Sequence, residues 1–165
     1  MLRSLAMILL SQIGQCCCDH YTCPVWACQA DWRKNMKSVK NYVYTERAHF
    51  MCPNMHFGIM AKIESNYDER QLRQSVDTLQ KAHPFLQSLI AEETDTGRFY
   101  YQIQDYLNIP VMVKEDAFLW QQDYEEISVR GWNVMNECLL KVVVYPKKNE
   151  FQILFIAHHL LCDGR

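Results

Sequence analysis

Two adjacent histidines, His158 and His159, are the residues of this chain best suited to chemistry, and Leu160-Leu161-Cys162-Asp163-Gly164 follows them. Imidazole is the one side chain whose ordinary pKa lets it take up and return a proton near neutral pH. The stretch before the pair, Phe151 to Ala157, is apolar but for Gln152 and rich in aromatic and β-branched residues. Such a run reads as a strand buried on both faces. Side chains alternate across a strand, so the two histidines cannot both point the same way while the backbone stays extended. One can face a cavity, and the other must be satisfied on the opposite side. The same divergence makes His158, His159 and Asp163 an awkward metal-ligand set, so no metal is expected. Cys162 would need an activating base to act as a nucleophile, and a cysteine on an apolar segment is more often inert. In a chain of this composition and length, the pattern H-H-x-x-x-D-G arises by chance at about 3 × 10⁻⁴.

The elements that must position this pair can be read upstream. Met55 to Ile63 is mostly apolar with Gly58 inside, a strand that something approaches closely. Asn66 and Glu69 form a candidate capping pair for a helix with Leu72, Val76, Leu79 and His83 on one face. Pro84 stops that helix, leaving His83 as a junction residue at its last turn. Phe85 to Ala91 and Arg98 to Ile103 read as a hairpin around Thr94-Asp95-Thr96-Gly97. Ile109 to Val113 contains Pro110 and reads as an edge strand. A second helix places Ala117, Trp120, Tyr124 and Ile127 on one face and stops at Gly131. Cys138 to Tyr145 and Glu150 to Ala157 then make an antiparallel hairpin whose second strand delivers the histidines. Its turn, Pro146 to Asn149, presents two lysines to solvent. Tyr100, Tyr101, Trp120 and Trp132 read as core or rim aromatics rather than as a ligand stack.

Composition sets the bounds. The chain has 165 residues, 49% of them hydrophobic and 22% charged, which is enough for one globular core. A formal charge of −2 without a basic block argues against nucleic-acid binding. No apolar stretch reaches membrane-spanning length, and a cytoplasmic location is expected. Residues 1–36 read differently from the rest. Five of the eight cysteines lie there (Cys16, Cys17, Cys18, Cys23 and Cys28), in a spacing that matches no common zinc site. Nothing before Met36 shows a structural period. Residues 1–36 are therefore expected to be a poorly structured extension or a mis-called start, with the folded unit at residues 37–165.

The heptapeptide from His158 to Gly164 resembles the HHxxxDG signature of the CoA-dependent acyltransferase superfamily. That group includes condensation domains of non-ribosomal peptide synthesis, alcohol acetyltransferases and chloramphenicol acetyltransferase-like enzymes. The junction Leu79 to Leu86 and the order β-α-ββ-β-α-ββ carry the likeness back through residues 37–165. Family members usually carry arginine soon after the junction histidine, where this chain has Gln87.

The resemblance implies an α/β fold, an α+β two-layer sandwich with a mixed, largely antiparallel sheet and helices packed on it. It is similar to the amino-terminal lobe of chloramphenicol acetyltransferase, truncated after the motif. It further implies that His159 is the general base and His158 its supporting partner facing away. Asp163 is then structural, pairing with an arginine, and Gly164 lets the backbone pass close to the reacting centre. The implied reaction moves an acyl group from a thioester to an amine, alcohol or thiol. Such chemistry needs a base, donors for the oxyanion and a dry tunnel. No bound cofactor is expected, acyl-CoA or a carrier-protein thioester being a co-substrate, and the remaining partner is a missing carboxy-terminal lobe. The alternative is a non-catalytic remnant or interaction module of the same fold. The existence of the other lobe on the same transcript separates the two.

Overall fold

The computed structural model of the chain describes residues 40–44, 52, 55–115 and 119–161. The expectation for residues 1–36 lies outside the described residues. The elements are β1 (Asn41–Tyr42), β2 (His56–Ile63), α1 (Glu69–Ala82), a 3-10 turn (Pro84–Gln87), β3 (Ser88–Glu93) and β4 (Arg98–Ile103). After them come β5 (Val111–Val113), α2 (Trp120–Arg130), β6 (Leu140–Lys147) and β7 (Glu150–His158).

These strands form two sheets. The larger runs β2-β7-β6-β5, antiparallel except for the parallel pair β5-β6, and the smaller runs β1-β4-β3. The hairpin of β6 and β7 forms as its composition dictates, with Val142 opposite Phe155 and Val144 opposite Ile153. Both faces of β7 are covered, as a continuous apolar run requires. Phe151, Ile153, Phe155 and Ala157 pack with Leu72, Val76 and Leu79 of α1. Leu154 and Ile156 pack on the other side with Trp132, Leu139, Val143 and Tyr145, and with Trp120, Tyr124 and Ile127 of α2. The small sheet adds Val43 and Ile90 to this second cluster, and the Ile90 amide donates to the Val134 carbonyl at 2.9 Å.

Several boundaries differ from the sequence reading, and three of the differences have a local cause. Helix α1 is capped by Asp68, whose carboxylate accepts the Gln71 amide at 3.0 Å, and not by Asn66. The helix starts at Glu69, so only the residue just before it can reach the third amide. Pro84 does not merely stop the helix. Its fixed φ opens a 3-10 turn over residues 84–87, and the strand starts at Ser88 rather than Phe85. In the last hairpin Pro146 and Lys147 extend the strand, leaving Lys148 and Asn149 as the turn, with Asn149 at φ 68°.

Gly58 is approached closely, as its place in a strand suggests. A Cβ built there would lie 2.9 Å from Cε2 and 3.1 Å from Cδ2 of Tyr124, and 3.3 Å from Leu154 Cδ1. Helix α2 rests its tyrosine on this bare backbone. No helix among the described residues is long and apolar enough to cross a membrane. Gly58→Val should push Tyr124 off the sheet and lower unfolding free energy by about 1–3 kcal/mol, read from urea denaturation.

Candidate active site

Strand β7 ends at His158, and its pairing with β2 decides where each histidine goes. His158 stands directly opposite His56 in the antiparallel register. The His159 amide donates to the Met55 carbonyl at 2.9 Å, which carries the same ladder one rung past the strand. Alternation therefore persists through the pair. His158 is 1% exposed, and its ring meets Trp132 with centroids 5.7 Å apart. His159 turns to the other face, half-buried, with its ring 5.2 Å from Phe57. Phe57 belongs to the cluster under α1, while Trp132 belongs to the cluster under α2.

His158 is tied into the turn that follows it. Its amide donates to Leu139, and its carbonyl accepts the Leu161 amide, both at 2.9 Å. Its Nδ1 accepts the Leu160 amide at 3.1 Å. A ring nitrogen that accepts carries no proton, so the neutral ring holds its proton on Nε2. The Tyr101 hydroxyl donates to the Leu160 carbonyl at 2.7 Å. The Phe85 ring meets Tyr101 edge-on at 5.1 Å, which brings the junction after His83 to the same turn. His83 itself seals α1 through its backbone, donating to the Leu79 carbonyl at 3.0 Å, and burial lowers its pKa.

A second histidine stands behind His158. The His56 ring lies 5.8 Å from Trp132 and 5.5 Å from Tyr124, and its Nε2 is 2.7 Å from Ser128 Oγ. Its Nδ1 is buried without a hydrogen-bond partner. A buried orphan N–H costs more than a buried orphan lone pair, so Nε2 carries the proton and donates to Ser128. In that tautomer His56 does not act as a base toward the serine. Burial lowers the His56 pKa first, and the charges of Lys141 and His159 lower it further. Lys141 is itself buried, 4.1 Å above the Trp132 ring and 2.6 Å from Glu137. Arg130 reaches the other Glu137 oxygen at 2.9 Å. Burial opposes the Glu137 carboxylate, but the hydrogen bond from Lys141 and the two cationic charges outweigh it and hold its pKa below the usual range.

The signature is thus only half in view. His158 and His159 are brought to one strand end and sent to opposite faces, while Cys162, Asp163 and Gly164 lie outside the described residues. Four contributors escaped the sequence reading: His56, Tyr101, Trp132 and Lys141. Trp132 and Tyr101 read only as aromatics of core or rim. A lysine inside a strand of valines was the one visible oddity, since an unpaired lysine is almost never buried.

No protein-family model matches the sequence, and no curated protein matches it. Solved structures are. Holo-AB3403, a four-domain nonribosomal peptide synthetase bound to AMP and glycine, superposes with TM-score 0.61 at 14% identity, over 74% of this chain and 10% of that one. The condensation domain of the Monacolin K polyketide synthase MokA gives 0.59 at 10% identity, over 73% and 30%. A mutant starter condensation domain of rhizomide synthetase, in complex with C8-CoA, gives 0.58 at 10% identity, over 79% and 33%. The chain has a condensation-type fold. It spans a third or less of the length of these structures. In this condensation-type fold the two histidines occupy the end of a fully covered strand.

Two outcomes follow from the geometry. Tyr101→Phe keeps the ring contact with Phe85 and loses the hydroxyl bond to Leu160. It should cost about 1 kcal/mol and speed amide exchange at Leu161, measured by urea titration and NMR. The second concerns pH. The folded-state pKa of His56 lies below its ordinary 6.5, so its neutral form contributes stability above that value, and the contribution is lost as pH falls through the folded pKa. Stability should decline on acidification below 6.5, and His56→Gln should flatten part of that slope in pH-dependent urea melts.

Proposed function

We propose that the chain carries the general-base end of an acyltransferase site of the condensation type. In this reading His159 takes the proton of an amine, alcohol or thiol as that nucleophile attacks a thioester carbonyl. The new acyl bond forms, the C–S bond breaks, and the released thiolate recovers the proton from the His159 imidazolium. The observation that carries the reading is the opposed placement of the histidines. His158 is locked behind Trp132 with a fixed tautomer, while His159 sits half-buried beside Phe57 on the other face. A base must be held and still be reachable, and of the two motif histidines His159 is the one that is not fully buried.

The donor is proposed to be acyl-CoA or a carrier-protein thioester. A structural neighbour that was solved with C8-CoA supports a thioester of this kind. Asp163 is proposed to hold the loop and Gly164 to admit close backbone approach, as the motif implies. The share of the neighbours' length that this chain spans supports a second lobe as the opposing wall of the tunnel. Positioning of donor against acceptor, and exclusion of water around the oxyanion, would then depend on both lobes.

The test is acyl transfer from octanoyl-CoA to an amine acceptor, measured on the longest native product that contains residues 37–165. His159→Ala should lower turnover by roughly 10²–10⁴-fold with little change in stability. The 165-residue chain alone should show no transfer above buffer. Full activity in His159→Ala with abolition in His158→Ala would reverse the assignment of faces and overturn the reading.

A further inference from the structure

The acyl-transfer reading leaves unexplained the buried charge behind the motif. Lys141 sits in β6 among Leu140, Val142 and Val143, and its side chain is 8% exposed. Burying an ammonium group is costly even when it is paired, and Glu137 could be satisfied by Arg130 on the surface. What the lysine uniquely reaches is the face of Trp132, whose ring also meets the rings of His56 and His158.

We propose that Lys141 is a positioning residue for the site. Its cation, held over Trp132 by Glu137, keeps the histidine pair His56 and His158 uncharged, so that His158 Nδ1 goes on accepting the Leu160 amide and closes the turn that presents His159. The inference rests on the acyl-transfer reading for the purpose of that turn, but its physical content does not.

The chain of causes is short. The Leu160 amide can donate to Nδ1 only while that nitrogen has no proton. A protonated His158 would set two N–H groups against each other inside the turn, and the turn would open. The groups facing the pair are then decisive. From β6 comes the Lys141 cation, from α2 Ser128 and Tyr124, and from the α2–β6 connection Trp132, with Glu137 against the lysine. Glu137 is already bound to Lys141 at 2.6 Å and to Arg130 at 2.9 Å, so its negative charge is spent on them. His159 adds a further charge against His56 when protonated. Lys141 and a protonated His159 both disfavour a cation on His56, and the Trp132 ring that carries the Lys141 ammonium also meets His158. Trp132 serves as the spacer, taking the ammonium on its face while the two imidazoles lie on its flanks.

The experiment is long-range proton–nitrogen NMR of the full 165-residue chain across a pH series, which reports for each ring nitrogen whether it carries a proton. In the unmodified chain, His158 Nδ1 should read as an unprotonated acceptor throughout the range in which an exposed histidine titrates. In Lys141→Met, the His56 and His158 rings should protonate at higher pH, and the Leu160 amide should exchange roughly tenfold faster at about pH 6. Lys141→Arg keeps the charge and should restore both readouts. A merely structural lysine would change stability without moving the ring titrations. If His158 Nδ1 already carries a proton near neutral pH in the unmodified chain, the inference fails without any variant. Unmoved titrations in a folded Lys141→Met chain would overturn it as well. Failure of acyl transfer would leave these shifts intact, so the two readings can fall separately.

Discussion

The antiparallel register between β2 and β7 is the constraint on which the site depends. With His56 opposite His158 and the Met55 carbonyl on the His159 amide, the faces of both histidines are set. A one-residue slip of β7 would exchange them, sending His159 toward Trp132 and His158 toward Phe57. Gly58 fixes the facing of the partner strand β2. It lies opposite Ile156, under Tyr124, where any side chain would collide. A shift of β2 by one residue would bring Phe57 or Ile59 under the same tyrosine. The close approach of α2 to the sheet and the orientation of the candidate base are thus one packing problem.

The two faces of the strand end differ in what they ask of a histidine. On the Trp132 side polar groups must be satisfied from within. His158 Nδ1 uses the Leu160 amide and His56 Nε2 uses Ser128, while His56 Nδ1 is left without a hydrogen-bond partner. On the Phe57 side the ring of His159 is half-buried against an aromatic surface, with the turn beneath it pinned by Tyr101. Adjacent residues of the same type therefore carry opposite duties. One is rigid because it is buried, and the other is reachable because its neighbour is rigid.

Much of this was legible in the sequence, and the gaps have physical causes. The buried strand, the alternation at His158 and His159, the close approach at Gly58 and the stop at Gly131 all follow from local rules. So does the hairpin of β3 and β4. What local rules could not supply were partners across space. His56 became part of the site only through a strand pairing that spans about a hundred residues of sequence. Tyr101 matters because the small sheet folds against the end of the large one, which no period in the sequence encodes. Lys141 was hidden because its compensation by Glu137 and Trp132 is a matter of three-dimensional packing. The capping error at Asn66 was smaller in kind, since Asp68 is an equally good cap and the helix start alone decided between them.

The central claim is that the fold buries one histidine of the pair and presents the other. Diethylpyrocarbonate footprinting of the native chain, read by peptide mass spectrometry, tests it most directly. The account predicts that His159 is modified quickly while His158 and His56 are protected until the chain unfolds. Modification of His158 at the rate of His159, or faster, in the folded chain would contradict it.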